Sequence, residues 1–318
     1  MQDGLPIHSP RTAPNAPVIV AAGAAEEMVA ACERAGRGDV YGLSVLHLAC
    51  DMPGQPESAW RQDALQRRGA WLWLLGQMDG PESLQVLTGL LRFRRTLDDR
   101  ALWAVRSPRE QWFDADYFDA AKIRSLVDCG AYDGDTARAF LAHVPDGRIV
   151  CIEPDATLAD RARRNADLAA SGCNVVHAAI GSHSGTAVFQ PADGMSGAVV
   201  PDAAQGERVP VTTVDTWLDA RAGMLKIDVE GQESQALAGA ARTVRNGALV
   251  AIAAYHKAGD LVDLADVLSQ MRETALGVRH YTGLAFETVL YTTQKATLSA
   301  SAAQETGDIN LVAAGGGA

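Results

Sequence analysis

Leu126-Val127-Asp128-Cys129-Gly130-Ala131-Tyr132-Asp133-Gly134-Asp135-Thr136 is the stretch that decides the fold. An apolar run ends in a glycine-containing turn that opens a helix, the place where a doubly wound α/β sheet binds its ligand. Gly130 suits the tight turn. Gly134 is expected to let a ligand approach the backbone near the helix N-terminus, whose amides favour a carboxylate. Asp128, Asp133 and Asp135 surround the turn. Three acids repel a pyrophosphate and attract a cation. S-adenosyl-L-methionine has no phosphate and carries an ammonium and a sulfonium, so this turn favours it over a dinucleotide. Asp133 and Asp135 also suit plain capping of the helix.

Outward from this turn, short apolar runs alternate with helical segments, the signature of a mainly parallel sheet covered by helices. Strands are expected at 125–129, 148–152, 174–178, 224–229, 249–255 and 287–293, and helices at 136–143, 156–170, 233–244 and 261–271. An irregular insert, 181–211, carries β-like pieces at 187–189 and 209–213. Its glycine-containing segment 191–197 is expected to act as a lid.

Two further acidic features follow. Glu153, before Pro154, ends the second apolar run 25 residues after Asp128, where this type of sheet places the acid that accepts hydrogen bonds from ribose hydroxyls. Leu225-Lys226-Ile227-Asp228-Val229-Glu230-Gly231-Gln232-Glu233 is a strand studded with acids, and alternation places Asp228 and Glu230 on one face. Asp228 is expected to face the cofactor's cationic end or the acceptor, Glu233 to cap the next helix, and Lys226 to pair with an acid or to take part in chemistry. His256, following the apolar run 249–254, is the leading base for an acceptor hydroxyl, with a structural tie to Asp228 or Glu230 as the alternative. Tyr255 and Lys257 fall on the opposite face if the strand continues. His177 reads as packing, and His280, Tyr281 and Glu287 frame the last hairpin. Asp228, Glu230 and His256 also form a donor set for a divalent metal, but no metal is assigned.

The chain resembles the FkbM-type methyltransferases through the 127–136 turn, Glu153-Pro154, Ala179-Ile180-Gly181, Val211-Thr212-Thr213-Val214-Asp215, and Lys226 through Glu233, with similar pieces at 255–257, 260–261 and 287–291. The resemblance spans about 117–293. It implies a Rossmann-like class I methyltransferase fold with a seven-stranded sheet and S-adenosyl-L-methionine as donor. It further implies transfer to a hydroxyl of a sugar, glycan or secondary metabolite. On the matching positions it places Asp128, Cys129, Gly130, Ala131, Tyr132, Gly134, Asp135 and Thr136 in the cofactor loop. Glu153 and Pro154 fall at the ribose, Ala179 beside the cofactor, and Asp228 at the active end, where His256 and Glu230 are the further catalytic candidates. Many relatives show an acid two residues before that histidine; here the residue is Ala254.

The competing readings are a nicotinamide-dependent oxidoreductase, disfavoured by the acidic turn and the lack of a Gly-x-Gly-x-x-Gly run, and a non-catalytic scaffold that binds S-adenosyl-L-methionine. A net charge of −11 speaks against nucleic acid as a partner, and no apolar run is long enough for an integral membrane segment. Hydrophobic residues at 47% and charged residues at 21% fit a folded chain, expected in the cytoplasm as a monomer or homo-oligomer. Five cysteines without close pairing read as free thiols.

The expected organisation is a loose arm at 1–16, an accessory α/β or helical domain at 17–115, the methyltransferase-like domain at 116–294 and a disordered tail at 295–318. Tryptophans and leucines at 58–75 and 82–94 give the accessory part its apolar faces. Trp103, Trp112, Phe113, Tyr117 and Phe118 read as a packed joint between domains, and the basic run 92–95 as a solvated helix face.

Overall fold

The computed structural model describes residues 18–20, 25–34, 36–37, 40–42, 44, 57–190, 197–200, 206–218 and 223–293. The expected arm, the tail and the expected lid at 191–197 apart from Gly197 lie outside them, and Gly197 borders the crevice described below. The chain begins with β1 (Val18–Val20), α1 (Ala25–Arg34) and β2 (Val40–Gly42), the two strands pairing in parallel. Helices α2 (Glu57–Gln66), α3 (Arg68–Leu75), α4 (Pro81–Thr96) and α5 (Arg100–Trp103) follow.

The second part is a seven-stranded sheet. Its strands are β3 (Ser125–Cys129), β4 (Arg148–Glu153), β5 (Asn174–His177), β10 (Gly223–Ile227), β11 (Leu249–Ala253), β12 (Ala275–His280) and β13 (Thr288–Thr293). They run in the order β12-β13-β11-β10-β3-β4-β5, with β13 antiparallel to its neighbours. The helices are α6 (Asp135–His143), α7 (Ala156–Arg164), α8 (Ala166–Ser171), α9 (Glu233–Ala238), α10 (Ala241–Arg245) and α11 (Asp260–Met271). The helix expected at 156–170 breaks because Asn165 caps α8, its side chain accepting from the amides of Asp167 and Leu168.

Strands β3 and β10 are buried throughout and adjacent, the reason both read as continuous apolar runs. The chain leaves β3 toward β4 and returns at β10 on its other side, so the crevice at their carboxyl ends is the topological switch point. The insert forms a separate sheet of β6 (Ala179–Ile180), β7 (Gly185–Gln190), β8 (Ala198–Val200) and β9 (Glu207–Thr212), ordered β6-β9-β7-β8, and its Phe189 and Val199 reach the crevice.

The accessory part shares its core with the sheet. Trp71, Leu74, Leu87 and Leu102 pack in one cluster with Leu225, Leu264, Leu268 and Leu276. The aromatic approach belongs to the other sheet face, where Trp112, Phe113 and Phe118 pack with Leu126, Phe140 and Ile149. Arg94 is buried, contrary to the solvated reading of its run. It lies 3.6 Å from Asp63, donates to the carbonyl of Ala258 and faces the Trp71 ring, while Arg92 and Arg95 stay exposed. Strand β12 was not expected from sequence. Its edge is covered by backbone bonds from Asp79 and Ser107 to the carbonyls of Leu276 and His280.

Candidate active site

A cavity of about 270 Å³ opens at the carboxyl ends of β3, β4 and β10. Gly130, Tyr132, Asp135, Thr136, Glu153 and Pro154 border one half of it, and Asp228, Glu230, Tyr255 and Glu287 the other. Gly130 has φ +76°, and a Cβ there would lie 1.8 Å from the Asp228 carbonyl oxygen, so only glycine lets the β3 turn pass under the β10 turn.

Glu153 is buried at the tip of β4. Its Oε2 accepts from the Tyr132 amide at 2.9 Å and its Oε1 from the Asp155 amide at 2.9 Å. Burial pushes its pKa up to about 7, against the lowering effect of those amides and of Lys226. The carboxylate is thus fixed by main chain, with lone pairs still available to the cavity. Ile152, Leu158 and Ile180 give the same half apolar walls. Asp135 lines the cavity and accepts from the Thr136 amide, while Asp133 lies 3.6 Å from Arg138.

Several residues of the expected cofactor loop sit elsewhere. Asp128 is fully buried beneath the turn, 3.0 Å from Lys226 Nζ, which also donates to the Gly130 carbonyl at 2.6 Å. Burial raises Asp128 to about pKa 6 in spite of that lysine. Its place is structural: it holds Lys226, and Lys226 holds the turn. Cys129 and Ala131 are buried and do not border the cavity. Gly134, φ +86°, faces Leu168 and Ala162 rather than the cavity, and a Cβ would meet Leu168 at 2.4 Å. Its glycine serves helix packing, not ligand approach. Ala179 does border the cavity.

At the other half, β10 ends at Ile227 and the chain turns through Glu230 at φ +51°. Asp228 and Glu230 therefore reach the cavity from a turn, not from one strand face. Strand β11 likewise ends at Ala253, so Tyr255 and His256 leave the alternation and their rings lie 4.3 Å apart. Tyr255 donates a long bond of 3.4 Å to Asp228 Oδ1. His256 stands behind the cavity wall: its Nδ1 is 2.9 Å from Glu233 Oε1, and its Nε2 is 3.5 Å from both Asp228 Oδ1 and Glu230 Oε2. Burial works to lower its pKa, but Glu233, Asp228 and Glu230 outweigh that and raise it to about 9. At neutral pH the ring carries its proton, so it does not act as the free base expected from its ordinary value near 6.5. Glu233 does more than start a helix, since Oε1 also accepts from the amides of Val229 and Gly231.

Sequence reasoning missed Gln111, Trp112, Leu158, Phe189, Val199 and Gln232 in the lining. The aromatic crowd at 112–118 was the available signal for Trp112. Gln111 bonds Glu287, which places the segment before β3 against the β12–β13 connection. His177 bonds the Pro154 carbonyl at 3.0 Å and His280 bonds Thr288 at 2.9 Å, both away from the cavity.

A doubly wound sheet of this order, with a glycine turn and a buried acid at the next strand tip, defines the Rossmann-like methyltransferase class. Residues 128–278 match the family described as the methyltransferase FkbM domain, and the chain carries a domain of that family. The structure is similar to a methyltransferase FkbM from Methylobacillus flagellatus KT, with 21% identity, a TM-score of 0.69, and coverage of 86% of this chain and 73% of that one. It has lower similarity to a putative rRNA-methylase from Clostridium thermocellum, with 9% identity, TM-score 0.37 and coverage of 60% and 99%. An O-methyltransferase of neocarzinostatin biosynthesis gives 20% identity, TM-score 0.34 and coverage of 81% and 69%. No curated protein matches the chain. Among the described residues no helix is long and apolar enough to cross a membrane.

Proposed function

We propose that the protein transfers a methyl group from S-adenosyl-L-methionine to a hydroxyl oxygen of a sugar, glycan or secondary metabolite. The observation that carries this reading is the Glu153 carboxylate, fixed by two main-chain amides at the edge of the cavity and beside the Gly130 turn. Two adjacent acceptor oxygens match a vicinal diol, and the apolar walls of Ile152, Leu158 and Ile180 suit a flat heteroaromatic ring. Asp135 and Asp228 give the cavity the negative charge that an ammonium and a sulfonium require. The residues present fit the donor, which when bound supplies an electrophilic methyl carbon.

The chain's own task is alignment and proton control. Asp228 is the acid placed to accept a hydrogen bond from the incoming hydroxyl. Tyr255 and the protonated His256 restrain it, and Glu233 orients the imidazole. Glu230, Gln111 and Glu287 form a polar rim suited to further hydroxyls. Incubation with methyl-labelled donor and a panel of hydroxyl, amine and carbon nucleophiles tests the reading: label should appear as methyl ethers, and label confined to N-methyl or C-methyl products would refute oxygen as the acceptor.

A further inference from the structure

Methyl transfer leaves the basic run at 92–95 without a role. Arg94 is buried beside Asp63, but Arg92 and Arg95 are exposed on α4. They border a surface hollow of about 430 Å³ together with Arg61, Leu65 and Leu91. A second hollow, of about 280 Å³, shares Leu65, Leu91 and Arg95 and continues along α3 past Arg68, Leu72 and Leu75. Spacings of three and four residues put Arg61 with Leu65 on one face of α2, Arg68 with Leu72 and Leu75 on one face of α3, and Leu91 with Arg95 on one face of α4. The three faces form an apolar trough rimmed by four guanidinium groups.

Those groups are not neutralised within the chain. Among the described residues none of the four arginines forms an ion pair, and Arg61 donates only to the Arg95 carbonyl. Nearby acids are engaged elsewhere: Asp63 with Arg67 and Arg94, Asp98 with Arg100. Leu72 is 69% exposed, more than any other large apolar side chain among the described residues. Positive charge around a protruding leucine is a local inversion in a chain of net charge −11.

We propose that this face of α2, α3 and α4 binds the surface of an anionic phospholipid membrane, with the arginines on headgroup phosphates and Leu72 and the trough against acyl chain. Guanidinium forks match phosphate oxygens in pairs. The acidic remainder of the chain opposes other approaches to such a surface and so sets the orientation. A protruding leucine needs a shaped pocket in a protein partner, whereas a bilayer accepts it without one, which favours lipid over an acidic protein. The contact is peripheral, since no helix among the described residues is long and apolar enough to cross.

The test is co-sedimentation of the full chain with vesicles of phosphatidylglycerol and phosphatidylcholine in equal parts, against vesicles of phosphatidylcholine alone. No methyl donor is present, so the methyl-transfer reading stands or falls separately. Binding to the anionic vesicles alone is expected, weakening as salt rises from about 0.1 M to about 1 M and the screening length falls from about 10 Å to about 3 Å. Replacing Arg92→Gln and Arg95→Gln together should weaken it roughly 30-fold, each basic residue near such a surface contributing about fivefold. Leu72→Ser should weaken it at least about fivefold. All three side chains are exposed, so the melting temperature should not move. Arg208→Gln, an exposed arginine of the insert sheet, should change nothing. Wild type that ignores both vesicles, binds them equally, or takes up an acidic amphipathic peptide but no vesicle would overturn the proposal without recourse to any variant.

Discussion

The two halves of the cavity are built differently. The half around Gly130 and Glu153 is made of consecutive turn residues and main-chain amides, all within one β-α-β unit. The half around Asp228 draws Gln111, Asp228, Tyr255 and Glu287 from four distant segments, joined mainly by side chains. Main-chain geometry recognises a constant ligand, whereas an assembly of side chains can be exchanged residue by residue. The first half therefore has the character of a donor site and the second that of an acceptor site.

The contrast predicts unequal consequences of substitution. Gly130→Ala should be the most damaging. A left-handed φ and a Cβ driven into the Asp228 carbonyl should cost at least about 3 kcal/mol, read as a lowered melting temperature and lost adenosyl-ligand binding. A near-normal melt would break the claim that the two turns interlock. Glu153→Ala comes next, since it removes the diol acceptor and leaves two amides unbonded. Affinity for S-adenosylhomocysteine should fall by about 2–3 kcal/mol, or roughly 30- to 150-fold, in calorimetry.

A pH series sharpens the same point. Burial raises Glu153 from 4.5 to about 7, so the folded chain holds a proton that the unfolded chain releases in that window. Its contribution to stability is full below about pH 4.5 and is lost as pH rises through about 7. Adenosyl-ligand affinity should run the other way, rising as the carboxylate forms. Glu153→Gln should flatten both trends, and an unchanged slope in that variant would assign the titration to another group. The smallest effect belongs to the other half: Tyr255→Phe removes only a 3.4 Å bond, so adenosyl-ligand affinity should stay within about threefold while turnover falls modestly.

The same division explains what could be read from sequence. The glycine turn, Glu153 and the parallel strands were legible because local geometry dictates residue type over a few positions. Asp128 and Gly134 were assigned to the ligand because sequence shows that a residue is constrained but not by what; Lys226 and Leu168 are the constraints. Strand β12 was hidden because Gly277 and two basic residues interrupt it. Arg279 is held there by Glu82, Ser83, Asp114 and Asp116, more than 160 positions away in the chain. Gln111 and Glu287 were beyond reach for the same reason, since tertiary contact alone makes them neighbours.

The most direct test of the central claim is calorimetric titration of wild type, Glu153→Ala and Tyr255→Phe with S-adenosylmethionine, S-adenosylhomocysteine and NAD⁺. The account predicts that wild type binds both adenosyl ligands and not NAD⁺, that Glu153→Ala loses most of that affinity, and that Tyr255→Phe keeps it. Binding of NAD⁺ alone, or adenosyl-ligand binding indifferent to Glu153, would contradict it.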